Sequence, residues 1–244
     1  MVSVLNNIGS LQASRNLANT QQGLNRTINR LSTGLRINQA FEDAAGLQIS
    51  NNLRADIRIM NQARRNANDG MSITRIIDAN YEEGTNLLTR AAELAEQAAS
   101  GTTSDAGRTA LNSEFTEIKN AINALGTDIK FNGDAVFGGT FSVHVGEGAT
   151  AISVAASSLS STTLQINGND MTSQANASAA LIAITSAIET ISASRGSIGA
   201  TQQRLMTVIN SLAITAENTQ AAESQIRDAD IASEVVNLTK FQIL

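Results

Sequence analysis

Residues 181–226 read LIAITSAIETISASRGSIGATQQRLMTVINSLAITAENTQAAESQI, and one stripe through this stretch decides the fold. Stepping alternately by three and four along it picks out Leu181, Ile184, Ile188, Ile191, Arg195, Ile198, Gln202, Leu205, Ile209, Leu212, Ala216, Thr219, Glu223 and Ile226. Only Arg195, Gln202, Thr219 and Glu223 interrupt an otherwise apolar row. That alternation is the signature of one helix face packed against other helices, as in a coiled coil. The seam runs for more than six heptads, far beyond the ~11–12 residues of an average globular helix. If each large side chain on it contributes even about 1.5 kcal/mol when buried, a lone helix carrying this stripe in water is untenable. Its partners must be helices from the N-terminal part of the chain, another chain, or both.

The N-terminal part supplies such helices. Up to about Leu35, apolar residues fall at Leu17, Leu24, Ile28, Leu31 and Leu35, an amphipathic stripe. Gly34 weakens the helix at its end, and Glu42 with Asp43 places negative charge where a second helix would present free N–H groups. From Ala45 to about Ala99 the helical pattern resumes, with Leu53, Ile57, Met60, Ala67 and Met71 on one stripe and Leu87, Ala91, Leu94 and Ala98 on another. Asn68-Asp69-Gly70 is a turn signal, but its flanks do not alternate as hairpin strands do, so the helix is read through it. Ser100-Gly101-Thr102-Thr103-Ser104 is the break, and Leu111, Phe115, Ile118, Ile122 and Leu125 then mark a third helix ending near Gly126.

Residues 131–176 change character, with Gly133, Gly138, Gly139, Gly146, Gly148 and Gly168 punctuating short runs of Val, Thr and Ser. Alternation at Phe141-Val143-Val145, at Ile152-Val154 and at Leu164-Ile166 predicts two or three half-buried strands. The fold class is therefore mainly α: long antiparallel helices in a bundle-like rod with a small β-hairpin insert. Both chain ends are helical and can meet. Arg15, Arg26, Arg30 and Arg36 stand at one end without an acid, and Glu217, Glu223, Asp228, Asp230 and Glu234 outnumber Arg227 and Lys240 at the other. Each exposed pair between them contributes well under ~1 kcal/mol.

Composition narrows the function. With 244 residues and 42% hydrophobic content the chain can bury a core, yet aromatics are only 3%, which suits close helix packing better than pockets. The absence of Pro removes the commonest helix breaker, and the absence of Cys removes disulfides and thiolate metal sites. A net charge of -5 argues against a general nucleic-acid binder. No stretch approaches the ~18–20 consecutive apolar residues of a membrane span, and no apolar block resembling a cleavable signal opens the chain, so neither membrane insertion nor the general secretory route is expected.

Catalytic chemistry has little to work with. His144 is the one histidine and falls on the polar face of a predicted strand, where a solvated side chain explains it. Gly146-Glu147-Gly148 resembles half a phosphate loop, but no helix start or Lys-Ser/Thr pair follows. The pairs Glu42-Asp43, Glu82-Glu83 and Asp228-Asp230 lack the ligand spacing of a calcium loop. No catalytic, cofactor-binding or metal residue is assigned, and no cofactor is expected.

The two ends of the chain carry longer motifs. Leu31-Ser32-Thr33-Gly34-Leu35-Arg36-Ile37-Asn38, Asp43-Ala44-Ala45-Gly46-Leu47 and Arg65-Asn66-Ala67-Asn68-Asp69-Gly70-Met71-Ser72 at one end resemble bacterial flagellin. So do Ile226-Arg227-Asp228-Ala229-Asp230 and Phe241-Gln242-Ile243-Leu244 at the other. The resemblance covers about 1–130 and 178–244, and 131–177 is where such proteins vary. It implies an inner coiled-coil layer from residues 1–44 and 225–244, and an outer rod from 45–130 and 177–224 with the insert 131–176. It further implies a non-enzymatic subunit of a hollow helical filament for swimming, assembled through contacts that repeat without closing.

The resemblance also implies partners. These are copies of the same chain, the flagellar cap and hook-junction proteins, a flagellin-specific export chaperone, and a type III channel passed unfolded without signal cleavage, a route suited to a chain lacking Cys and Pro. Positions matching the patch sensed by a vertebrate Toll-like receptor are Arg90, Leu94 and Glu114, with Glu93 and Gln97 nearby, although Ala91 and Ala92 stand where the strongly sensed pattern is bulkier or charged. Self-assembly is assigned to the seams at Leu17, Leu24, Ile28, Leu31, Leu35, Leu205, Ile209, Leu212 and Ile226. Family members continue beyond Phe-Gln-Ile-Leu, so weakened polymerisation and chaperone binding are expected of residues 1–244 alone. A hook-filament junction protein is the nearest alternative, but Asp43-Ala44-Ala45-Gly46-Leu47 resembles flagellin better.

Overall fold

The computed structural model describes residues 7–146 and 150–244. Five helices and two short hairpins are found among them: α1 Ile8–Thr33, α2 Ala44–Ala99, α3 Asp105–Asp128, β1 Lys130–Phe131, β2 Asp134–Ala135, β3 Thr140–His144, β4 Ala151–Ala155, α4 Gln174–Arg227 and α5 Ile231–Ile243. Two compact units emerge, Met1–Ile59 with Ile214–Leu244, and Met60–Ala213.

The helix ends follow from local chemistry. α1 starts where Asn7 Oδ1 accepts from Ser10 N and stops at Gly34, whose φ of 70° is the left-handed conformation glycine adopts without a Cβ penalty. Asp43 Oδ1 accepts from Gly46 N at 2.8 Å to start α2. Its neighbour Glu42 turns the other way and accepts from Asn38 N at 2.9 Å. Between α2 and α3, the buried Arg108 guanidinium donates to the carbonyls of Ala98 and Ser100, satisfying acceptors that the end of α2 leaves open. Ser104 caps α3.

The unit Met60–Ala213 holds the core. Ile77, Tyr81, Leu88, Leu94, Phe115, Ile122, Ile184, Ile191 and Leu205 are buried there. Tyr81 meets Phe137 edge-on at 5.2 Å and donates its hydroxyl to Ser157 O at 2.8 Å. Burial pushes the Tyr81 hydroxyl above its ordinary pKa. α2 runs unbroken through Asn68-Asp69-Gly70, and the glycine serves contact: a Cβ on Gly70 would stand 2.7 Å from Val143 Cγ2 of β3.

The insert differs from its sequence reading in two places. β3 and β4 pair antiparallel with Phe141 opposite Val154 and Val143 opposite Ile152. The third strand expected at Leu164–Ile166 does not form. Those residues lie in a turn where Ile166 N and Asn167 N both donate to Ser161 O and Gln165 takes a φ of 58°, so Leu164 and Ile166 are buried from a coiled segment. A hairpin absent from the reading, β1–β2, forms instead around Asn132-Gly133, whose φ values of 52° and 94° fit the Asn-Gly preference of tight hairpin turns. The Gly146-Glu147-Gly148 motif falls partly outside the described residues. His144 is exposed on the polar face of β3.

α4 contains an 18-residue window of mean hydropathy 1.4, long and apolar enough by length and composition to cross a bilayer. Every position of the long seam is buried or partly buried, and Ile184, Ile191, Ile198 and Leu205 pack into the core. The polar interruptions have partners. Arg195 donates from Nε to Asp78 at 2.9 Å and from Nη2 to Glu82 at 3.3 Å, while Glu223 accepts from the buried Ser50 hydroxyl at 3.0 Å. Polar pairs at seam positions fix helix register at some cost in stability.

Candidate functional site: the terminal helices and the exposed face of α2

In the unit Met1–Ile59 with Ile214–Leu244, α1 packs against α5. An antiparallel bridge joins Leu35 to Asp228, with Ala229 N donating to Gly34 O at 2.9 Å and Arg36 N to Arg227 O at 2.6 Å. This bridge lies where α4 ends. Asp230 then restarts the helix as α5, its Oδ1 accepting from Ala232 N at 2.9 Å and Ser233 N at 3.3 Å. Further along, the Phe241 ring lies over Gly23, where a Cβ would come within 2.7 Å. A larger residue at 23 would force the Phe241 ring to shift.

The opposite charge of the two ends is used at one point. Arg30 Nη1 donates to Glu234 Oε1 at 3.2 Å and Nη2 to Glu42 Oε1 at 3.5 Å. The Asn38 backbone N–H, and then those of Gln39 and the Arg30 guanidinium, hold the Glu42 carboxyl below the usual carboxylate range against a burial effect in the other direction. No such ion pair to the C-terminal segment is made by Arg15, Arg26 or Arg36 among the described residues.

This unit barely has an interior. Ile37 is the one apolar side chain buried in it among the described residues, whereas Ile8, Leu11, Leu17, Ile28, Phe41, Ile49, Ile59, Ile214, Ile231, Val235, Val236, Ile243 and Leu244 are exposed. Met60–Ala213 exposes only Ile182 and Met206 among its described large apolar residues. Of the seam residues named from sequence, Leu17 is 66% and Ile28 46% exposed, Leu24, Leu31, Leu35, Ile209, Leu212 and Ile226 are partly covered, and Leu205 is buried. Exposed apolar side chains concentrated in one of the two units mark a candidate interaction face.

The second candidate surface lies on α2 and α3. Arg90 donates from Nε and Nη2 to Glu114 Oε1 at 3.0 and 2.9 Å, and from Nη1 to Glu93 Oε2 at 3.0 Å. Those carboxylates hold the guanidinium above its ordinary pKa, Glu114 foremost. Arg90, Glu93, Gln97 and Glu114 are exposed together, while Leu94 is 1% exposed and faces the core. No group of three or more His, Asp or Glu residues converges as a metal site among the described residues.

Residues 4–142 match the bacterial flagellin N-terminal helical region, and residues 181–244 match the C-terminal helical region. The chain belongs to the bacterial flagellin family. It is 36% identical to a flagellin of Halalkalibacterium halodurans over 98% of this chain and 90% of that one. With the flagellar filament 33 kDa core protein of Treponema phagedenis it shares 33% identity over the same shares of each chain. Among solved structures it resembles Bacillus cereus flagellin, with a TM-score of 0.55, 24% identity and coverage of 65% of this chain and 94% of that one. It also resembles a putative flagellar hook-associated protein from Vibrio parahaemolyticus, with a TM-score of 0.64, 13% identity and coverage of 77% and 100%. At those identities the two solved structures speak for the fold alone. The flagellin family is a structural, non-enzymatic one, and its members mark this chain as a structural subunit of the flagellar filament, an extracellular appendage. The matched regions are those of flagellin, so the hook-junction reading is not favoured.

Proposed function

We propose that this chain polymerises with copies of itself into the filament that drives swimming, and that neighbouring copies cover the apolar stripes of its terminal helices. The observation that carries this reading is the contrast between the two units: one buries its apolar residues and the other displays them. Burial is worth roughly 25 cal/mol per Å² of apolar surface, so exposed rows of Ile, Leu and Val on two paired helices favour association strongly. In this reading residues 1–44 and 225–244 form the inner layer, and residues 45–130 and 177–224 form the outer rod with its insert 131–176. The compact unit holding the termini reaches further, to Ile59 and back to Ile214.

The same reading extends to biogenesis. The chain travels unfolded through the flagellar type III channel without signal cleavage, with a flagellin-specific chaperone on its C-terminal segment, and a cap protein seats it at the tip beyond the hook-junction proteins. The chain's lack of Pro and Cys supports this, because neither slow prolyl isomerisation nor disulfide pairing then delays refolding after transit. Exposed Arg90, Glu93, Gln97 and Glu114 form the surface a Toll-like receptor would meet, with Leu94 holding that helix face from beneath.

Leu17→Ser combined with Val236→Ser tests the assembly reading. Both side chains are 66% exposed, so the subunit keeps its far-UV circular dichroism. Electron microscopy is expected to show fewer and shorter filaments from the double variant than from the parent chain at equal concentration, even though the parent itself assembles weakly. Filaments of equal length and number from both overturn it.

A further inference from the structure

β4 reads Ala151-Ile152-Ser153-Val154-Ala155, an uncharged run without Pro that is nearly the same in either direction about Ser153. Its ladder with β3 occupies one edge. Val145 N donates to Thr150 O at 3.1 Å and Ala156 N to Gly139 O at 3.5 Å, and opposite residues of an antiparallel pair alternate between exchanging both bonds and exchanging none. Counting inward from those two pairs, Ile152 and Val154 bond to β3, while Ala151, Ser153 and Ala155 turn their N–H and C=O groups away from it. No hydrogen bond reaches those outward groups among the described residues. The outer edge of β3 is different, since Asn66 Nδ2 of α2 donates to His144 O at 3.1 Å. Ile152 and Val154 are buried on the core face of the hairpin, and Ser153 and Ala155 are exposed on the other. β4 is thus an open strand edge with small side chains and none of the charge that usually blunts one.

We infer that β4 pairs antiparallel with β4 of a second copy of this chain about a two-fold axis at Ser153, joining two hairpins into a four-stranded sheet. The near-palindrome selects this occupant. Antiparallel pairing sets Ser153 opposite Ser153, Ile152 opposite Val154 and Ala151 opposite Ala155, so residues of like size meet and the apolar face continues across the axis. Each outward N–H then finds a C=O on the other copy. No acid or base lies on the segment, so the net charge of -5 carried by each copy is not concentrated at the contact. A two-fold contact closes on itself, so it joins two copies and stops. It uses the insert alone and is a different contact from the repeating ones proposed for the terminal helices.

The chain has no Cys, so a single introduced thiol reports its own surroundings. A hydrogen-bonded antiparallel pair holds its Cα atoms about 5.5 Å apart, within the span of a disulfide, so Ser153→Cys should cross-link two copies on oxidation with copper–phenanthroline. Ser142→Cys is the control. Ser142 is also exposed and lies opposite Ser153 on β3, but its two-fold mate would stand about 14 Å away, three strand spacings. Both thiols are placed in the Leu17→Ser, Val236→Ser chain, below the concentration at which filaments form, so that pairing is read apart from polymerisation. Disulfide dimer is expected about tenfold faster from Ser153→Cys than from Ser142→Cys. Charge gives a second readout by sedimentation equilibrium. Ser153→Lys and Ser153→Glu each set like charges across the axis and should raise the dissociation constant about fivefold, whereas their equimolar mixture should pair at least as well as the parent. The side chain at 153 is exposed, so circular dichroism should match throughout. Equal cross-linking at the two positions overturns the pairing, and so does a mixture no better associated than either variant alone. Neither result touches the assembly reading, whose own test reads filaments rather than cross-links.

Discussion

Gly126 sets a quantitative test of how the β insert is locked to the helices. The residue lies in the last turns of α3, and a Cβ there would come within 2.8 Å of the Leu159 carbonyl carbon and closer still to its oxygen. Ordinary van der Waals contact begins near 3.4 Å, so alanine forces backbone apart. The Leu159 segment has little freedom to move, since Leu159 is buried and Ser161 N donates to Asn123 Oδ1 of the same helix at 2.8 Å. Overpacking of this kind costs about 1–3 kcal/mol, and loss of the Ser161 bond adds about 1 kcal/mol. Against that, alanine improves helix propensity by up to about 1 kcal/mol. The balance is a destabilisation of about 2 kcal/mol, or a Tm lowered by about 4–8 °C for a domain of this size. Gly199→Ala in α4 is the control: nothing stands within 4 Å of its Cβ, so it gains propensity without a clash and should raise Tm slightly. Thermal unfolding of dilute subunit followed by far-UV circular dichroism reads both. A Gly126→Ala subunit as stable as its parent refutes the reasoning.

Other outcomes follow from the terminal pairing and the α2 surface. Asp230→Ala removes a cap that satisfies two N–H groups and should destabilise α5 by about 1 kcal/mol, seen as faster hydrogen exchange at Ala232 and Ser233; unchanged protection counts against it. Glu42 titrates below its ordinary value in the folded chain, so its contribution is complete above about pH 5 and disappears as acid protonates it. The Tm advantage of the parent over Glu42→Gln should therefore vanish on acidification, and an advantage that persists at pH 2 contradicts the assignment. Arg90→Ala should weaken receptor binding with folding intact, whereas Leu94→Ala opens a core cavity and should lower Tm with a cost of about 2–5 kcal/mol. Equal receptor affinity in the Arg90→Ala subunit removes that surface from consideration.

Helices were legible in this sequence wherever apolar spacing ran long. The seam from Leu181 to Ile226 lies in one helix, and the helix through Asn68-Asp69-Gly70 is continuous because fifty-odd residues of periodicity outweigh one local turn signal. The insert was harder, because short segments carry little periodicity. Leu164 and Ile166 are buried as an alternating pair would be, yet a left-handed Gln165 turns them inward without strand pairing. Asn132-Gly133 is a strong hairpin signal, but two-residue strands leave no alternation around it. Gly126 read as a stop and is instead a point of close approach, a distinction that needs the Leu159 carbonyl in view. Leu94 shows the limit for surfaces: motif matching grouped it with Arg90 and Glu114, while helix geometry turns it to the core. Charge bias at the termini pointed to pairing, and among the described residues the ion pairing between the two ends is that of Arg30 with Glu234, with Glu42 of the N-terminal segment on the other side of the guanidinium.

Sedimentation of the subunit over a wide concentration range tests the central claim most directly. A chain whose terminal helices leave Leu17, Ile28, Val235 and Val236 in water should convert from slowly sedimenting monomer to pelletable polymer above a threshold concentration. A single monomeric boundary at every concentration, with those side chains shielded from solvent in the monomer, would contradict it.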